Sequence, residues 1–109
     1  MNPGEIYWVH PHIKLPNERS NQNTHPYVII RGSLNGANSD LLTAVVATTQ
    51  PLNTFSIPIG NTDGISRHAQ CDVVVTLHKT NLKKLIKTLT KEQLDDIIYA
   101  VADYLGINP

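Results

Sequence analysis

The histidines at positions 10, 12, 25, 68 and 78 are the side chains best suited to proton transfer, because imidazole alone has an unperturbed pKa near neutrality. His10 and His12 flank Pro11 as an H-x-H pair. A chelate there would need both rings on one side of an interrupted strand, and no third ligand stands at an obvious spacing, so no metal site is expected. His68 and His78 flank a β-prone run and read as exposed loop residues. His25, in "NTHPYVIIRG", stands where a polar loop meets an apolar run, and Pro26 pushes it into extended backbone. Asp72, inside "CDVVV", lies either on the solvent side of a strand or in a polar site that needs it. Thr49 ends the apolar run "LLTAVVATT" and can offer a hydroxyl at a sheet edge. Lysines 79, 83, 87 and 91 recur every four residues and would form a basic stripe on a continuous helix, for which a solvated face is the simpler reading. No Ser/His/Asp signature, phosphate-cradling glycine loop or paired catalytic carboxylates is evident.

The elements that must position these groups follow from hydrophobic period and turn chemistry. "EIYWVH", Glu5 to His10, is a β-prone run closed by Pro11; residues 11 to 24 read as an exposed polar loop, long enough to be functional. "YVIIR" is a second strand, and Leu41 to Thr49, nearly all apolar, is the candidate for a central one. "TFSIPI" alternates, with Phe55, Ile57 and Ile59 on one face and Pro58 marking an edge or a bulge; "GNTDG" turns the chain. After "AQCDVVVTL" the period changes. "NLKKLIKTL" carries Leu82, Leu85, Ile86 and Leu89 at helical spacing, and "KEQLDDIIYAVADYLG" repeats the pattern. Thr90 with Gln93 fits a capping box and Gly106 a left-handed stop, which predicts a final helix over Lys91 to Leu105. About five strands followed by segregated helices is an α+β pattern, most compactly a small curled sheet or half-open barrel.

Composition narrows the function classes. A chain of 109 residues is most simply one domain spanning 1–109. Nine basic against nine acidic side chains remove any whole-chain electrostatic argument for nucleic acid, though a local site stays open. The lone Cys71 excludes an internal disulfide framework and a cysteine-built zinc site. No apolar run approaches the ~20 residues that span a bilayer, and the N-terminus lacks a leader pattern, so a cytoplasmic location is expected.

Several of these segments are similar to one known pattern. "GEIYWV" looks like an opening Gly-Glu/Asp-Ile-Tyr/Trp strand, "NTHPYVII" like a Gly-Thr-Arg-Pro-Val-Leu-Val-Ile segment, and "AVVATT" like a Val-Ala-x-Thr strand. From "QCDVVVTLHKTNL" to "LTKEQLDDIIYAVADYLGI" the chain lies without gaps on an Arg-Thr-Ile-Asp-Lys-x-Arg-Leu strand and turn and a final helix ending Leu-Gly-Leu. In order and spacing the chain thus resembles the MazF/PemK family of bacterial toxin ribonucleases, within the CcdB/PemK superfamily, from Gly4 to Ile107. The resemblance implies an SH3-like small β-barrel with a C-terminal helix, a homodimer, a cognate antitoxin as partner, and sequence-selective cleavage of single-stranded RNA without metal or cofactor. In that reaction the ribose 2′-OH attacks the neighbouring phosphate; it needs a base, an acid, and donors or a cation for the phosphorane charge.

Carried over by position, the family threonine is Thr49, and the aspartate of the Arg-Cys-Asp triplet found in one branch is Asp72. The arginines are replaced: His25 stands at the pre-proline position, Gln70 in the triplet, and Val75 and His78 at the Arg and Asp of the turn. A histidine exchanges a proton where arginine holds a permanent forked cation. The resemblance therefore points to His25, Thr49 and Asp72 as catalytic candidates. Gln70, Arg19, Gln22, Thr24 and Arg67 are candidate substrate-binding residues, with Arg19 or Arg67 replacing the missing phosphate cation. Two other outcomes stand beside this one: a CcdB-like inhibitor that binds DNA gyrase, and a family member that has lost catalysis.

Overall fold

The computed structural model describes residues 2–10, 25–31, 40–51 and 53–107. The expected loop at 11–24, with Arg19, Gln22 and Thr24, lies outside the described residues, as does most of the turn after β2. The described chain forms β1 (Glu5–Val9), β2 (Pro26–Arg31), β3 (Leu41–Thr48), β4 (Ser56–Thr62), β5 (Ile65–His78), β6 (Leu82–Thr88) and α1 (Lys91–Leu105). All strands are antiparallel neighbours in one sheet of order β4-β5-β3-β2-β1-β6. The α+β class and the curled sheet with a C-terminal helix are those expected from the sequence. β4 is an edge strand, with a register shift between Pro58 and Gly60, which is how the sheet accommodates a residue without a backbone donor. The turn is tighter than "GNTDG" suggests: Thr62 pairs with Ile65, and Asp63 and Gly64 both take positive φ (54° and 81°), the two-residue hairpin geometry that matches strand twist.

Within the segment Asn81 to Leu89, whose spacing predicts a helix, Leu82–Thr88 is instead the strand β6, giving a sixth strand. Its register explains the discrepancy. Val9 pairs with Leu82 and Tyr7 with Leu85, so two steps on β1 meet three on β6; Ile6 then pairs with Lys87 across a second shift. Each bulge inserts one residue and returns apolar side chains to the same face at an interval of three, which imitates a helical period. Lys87 accordingly does not belong to a solvated helical stripe. Its ammonium donates to the carbonyls of Ile59 (3.1 Å) and Asn61 (3.0 Å) on β4, joining the two edge strands of the sheet.

Curling the sheet buries both faces. One cluster contains Ile6, Val28, Val45, Ala47, Ile59, Ala69 and Cys71 under Leu89, Ile97 and Val101, the last two from α1; the other contains Val9, Tyr27, Ile29, Leu42, Ala44, Val46, Leu77 and Leu82. Phe55, Ile57 and Ile59 share the first cluster, as their alternation predicts. α1 has the bounds read from the sequence, with Thr90 and Gln93 closing a reciprocal capping box and Gly106 in the left-handed conformation at φ 75°.

Cys71 is fully buried in this core, and burial, reinforced by the adjacent Asp72 charge, pushes its thiol up to about 12 from 9.0. Such a thiol is inert. The folded protein is expected not to react with an aromatic disulfide reagent at pH 8, and to react stoichiometrically once denatured. Because the folded state holds the proton that the unfolded state loses first, stability falls as pH rises above about 9 towards about 12; a native-state absorbance titration combined with urea unfolding checks both.

Candidate active site

β3 connects the candidate residues from the two sides of the sheet. Tyr27 pairs with Val46, and Val46 with Gln70, which pairs in turn with Ser56. Residues paired across a ladder project from the same face, so these four side chains form one row. Two residues along, Thr48 pairs with His68 and His68 with Pro58. Continuing the β2 register one residue beyond Pro26, which pairs with Trp8, places His25 in the same row between Val9 and Thr48. His25 is buried, 6% exposed, at the entry to β2. His68 is not the exposed loop residue expected from the sequence. It lies within β5, partly buried, and its Nδ1 atom is buried without a hydrogen-bond partner.

The Gln70–Asp72 pair sits where β5 departs from its partner. Val45 pairs with Val74 and Val46 with Gln70, so Cys71, Asp72 and Val73 face no residue of β3. That bulge re-aims the strand, and the loop before β4 occupies the gap: the Cys71 N–H donates to the Phe55 carbonyl at 3.0 Å. A polar network follows. Phe55 N–H donates to Asn53 Oδ1 (2.9 Å), Gln70 Nε2 donates to Asn53 Oδ1 (2.8 Å) and to Asp72 Oδ1, Asn53 Nδ2 donates to Asp72 Oδ2 (2.7 Å), and Ser56 Oγ donates to Gln70 Oε1. The backbone donor sets every orientation in it. Since Phe55 N–H can only donate, Asn53 must present its oxygen there and its amide hydrogens to Asp72; Gln70 must then present its own amide nitrogen to Asn53. Position 72 is left facing two donors and must accept on both atoms, which an ionised carboxylate does.

Gln70 is fully buried, and its amide nitrogen donates to Asn53 and to Asp72, so it holds the carboxylate. Asn53 and Ser56 escape a sequence reading because a polar residue before a strand is ordinary; only the bulge in β5 brings them to Asp72. Thr49 lies one residue past β3, beyond the last β3–β5 pair at Thr48, and is exposed. Arg67 is 5% exposed and its guanidinium carbon stands 5.6 Å from the centroid of the Trp8 ring. Burial lowers its pKa, partly offset by the charge of Asp63, and Nε has no hydrogen-bond partner. Arg67 thus belongs to the opposite face of β5 from His68, one position along. Among the described residues no three His, Cys, Asp or Glu side chains converge to hold a metal, and no helix is long and apolar enough to cross a membrane.

The family of PemK-like, MazF-like toxins of type II toxin-antitoxin systems matches residues 2–105. The chain belongs to this family. Among solved structures of similar fold, a mycobacterial endoribonuclease in complex with its cognate antitoxin aligns with a TM-score of 0.76 at 19% identity, covering 100% of this chain and 98% of that one. The toxin MazF-mt6 of Mycobacterium tuberculosis aligns at 0.74 and 15% identity over 96% of this chain and 99% of its own. MazF of Deinococcus radiodurans aligns at 0.77 and 14% identity over 98% and 97%. No curated protein sequence matches significantly. At such identities the PemK/MazF toxin shares its barrel with these structures, while the residues of its site have to be argued from its own geometry.

Proposed function

We propose that this toxin is an endoribonuclease that cleaves single-stranded RNA by 2′-OH attack on the adjacent phosphate, without a metal, in the cytoplasm, as a homodimer neutralised by a cognate antitoxin. Family membership supports the toxin role, and the similar structures described as endoribonucleases, one of them bound to its antitoxin, support the reaction and the partner. The observation that carries the residue assignment is the sharing of one sheet face by the His25 row and the Gln70 that holds Asp72.

In this reading His25 exchanges the proton that the family arginine cannot, and Asp72 is the complementary group or orients it. Thr49 offers a hydroxyl to the phosphate at the end of β3. Arg67, the cation expected to meet the phosphate, is instead held against Trp8 on the face of β5 opposite His68 and does not face this row. Gln70, Asn53 and Ser56 keep Asp72 in place.

The test is incubation of purified protein with mixed-sequence RNA in excess chelator, followed by analysis of the cut ends. Fragments bearing a 2′,3′-cyclic phosphate and a 5′-OH are expected. Intact RNA under conditions where a family ribonuclease cleaves would instead favour a catalytically inactive relative, and inhibition of gyrase supercoiling with RNA spared would favour the binding toxin.

A further inference from the structure

His68 lies between Thr48 on β3 and Pro58 on β4, and its Nδ1 atom is buried without a hydrogen-bond partner. A buried polar atom in that state costs free energy unless a ligand or a water reaches it. The ladder places this ring across Thr48 from His25, on the same face. Their backbones are two strand spacings apart, roughly 10 Å, with Thr48 in the strand between them.

We propose that His68 is a second catalytic imidazole, paired with His25 across Thr48, and that the two divide the acid and base work of RNA cleavage; this rests on the endoribonuclease reading above. One imidazole, neutral, takes the proton of the ribose 2′-OH as the O2′–P bond forms. The other, protonated, delivers its proton to O5′ as the P–O5′ bond breaks. The products are a 2′,3′-cyclic phosphate and a 5′-OH; one proton has moved from O2′ to O5′ by way of the two rings, which exchange with solvent to reset. No oxidant, reductant or metal enters the balance. The pair also accounts for the missing arginines, since a protonated imidazole beside the phosphate supplies positive charge as well as a proton. The other titratable groups on this face are Tyr27 of β2 and the Tyr7–Glu5 pair of β1, in which the Tyr7 hydroxyl donates to Glu5 at 3.1 Å; Thr48, Ser56 and Pro58 carry none near neutrality.

The experiment compares the full-length protein with His68→Gln and His25→Gln, which keep polarity and approximate size but cannot titrate. The wild type is expected to show a bell-shaped dependence of kcat/KM on pH; each variant loses one limb and about 10²-fold or more in kcat, with KM within about threefold. In the ring proton spectra, replacing either histidine shifts the titration midpoint of the other by about half a pH unit or more. His68→Gln with wild-type kcat, or with reduced kcat and both limbs intact, overturns the assignment, as does an unmoved His25 midpoint. If the wild type leaves RNA intact while the midpoints remain coupled, the endoribonuclease reading falls and the histidine pair stands.

Discussion

Replacing Asp72 by asparagine is expected to lower RNA cleavage by about 10²-fold or more. The two side chains have nearly the same shape, so the effect comes from charge and from hydrogen-bond polarity. Asp72 accepts from Gln70 on one oxygen and from Asn53 on the other, and the chain of donors that ends there begins at the Phe55 N–H, which cannot reverse. An amide at position 72 must therefore oppose its NH2 to another NH2, whichever way it is turned. The cost is about 1 kcal/mol in stability, because the site is only partly buried. Unfolding curves measure that cost, and single-turnover cleavage below the transition measures the chemistry. Asn53→Ala is the control: it loosens the carboxylate without removing its charge. Should Asn53→Ala and Asp72→Asn lose activity equally, the carboxylate serves the loop rather than the reaction, and its catalytic assignment is lost.

The second large effect falls on His25. Its replacement by alanine is expected to reduce kcat by about 10²- to 10⁴-fold while the protein remains folded. His25 is itself buried, so the substitution also removes packing; circular dichroism and thermal unfolding separate the two losses. His25→Arg asks a sharper question, because it restores the family's side chain. An arginine brings a permanent cation and no exchangeable proton, so any activity in this variant should lose the pH limb that His25 supplies in the wild type. Cleavage by His25→Ala at the wild-type rate, with an unchanged pH profile, would remove His25 from the mechanism.

These expectations rest on parts of the molecule that differ in how legible they are. α1 was readable in full, from Thr90 to Gly106, because a capping box, an amphipathic period and a left-handed stop are all local interactions. The strands were readable as runs, and Pro58 announced the edge at β4. β6 was misread, since its apolar spacing is produced by two bulges against β1, and a bulge is a property of the pair and not of either strand.

The site divides in the same way. Residue types and their order, with the family resemblance they carry, identified His25, Thr49, Asp72, Gln70 and Arg67 as candidates, because chemistry belongs to side chains. Their arrangement came from the ladder. Only the register of β2, β3 and β5 puts His25, Thr48 and His68 in one row, and only the three unpaired residues of β5 let Asn53 and Ser56 reach Gln70 and Asp72. The same packing turned Arg67 onto Trp8 and sent Lys87 across to β4. Local sequence sets hydrogen-bonding capacity and helix ends within a few residues. Which side chains meet across strands forty residues apart depends on register, which is chosen by the burial of both sheet faces together.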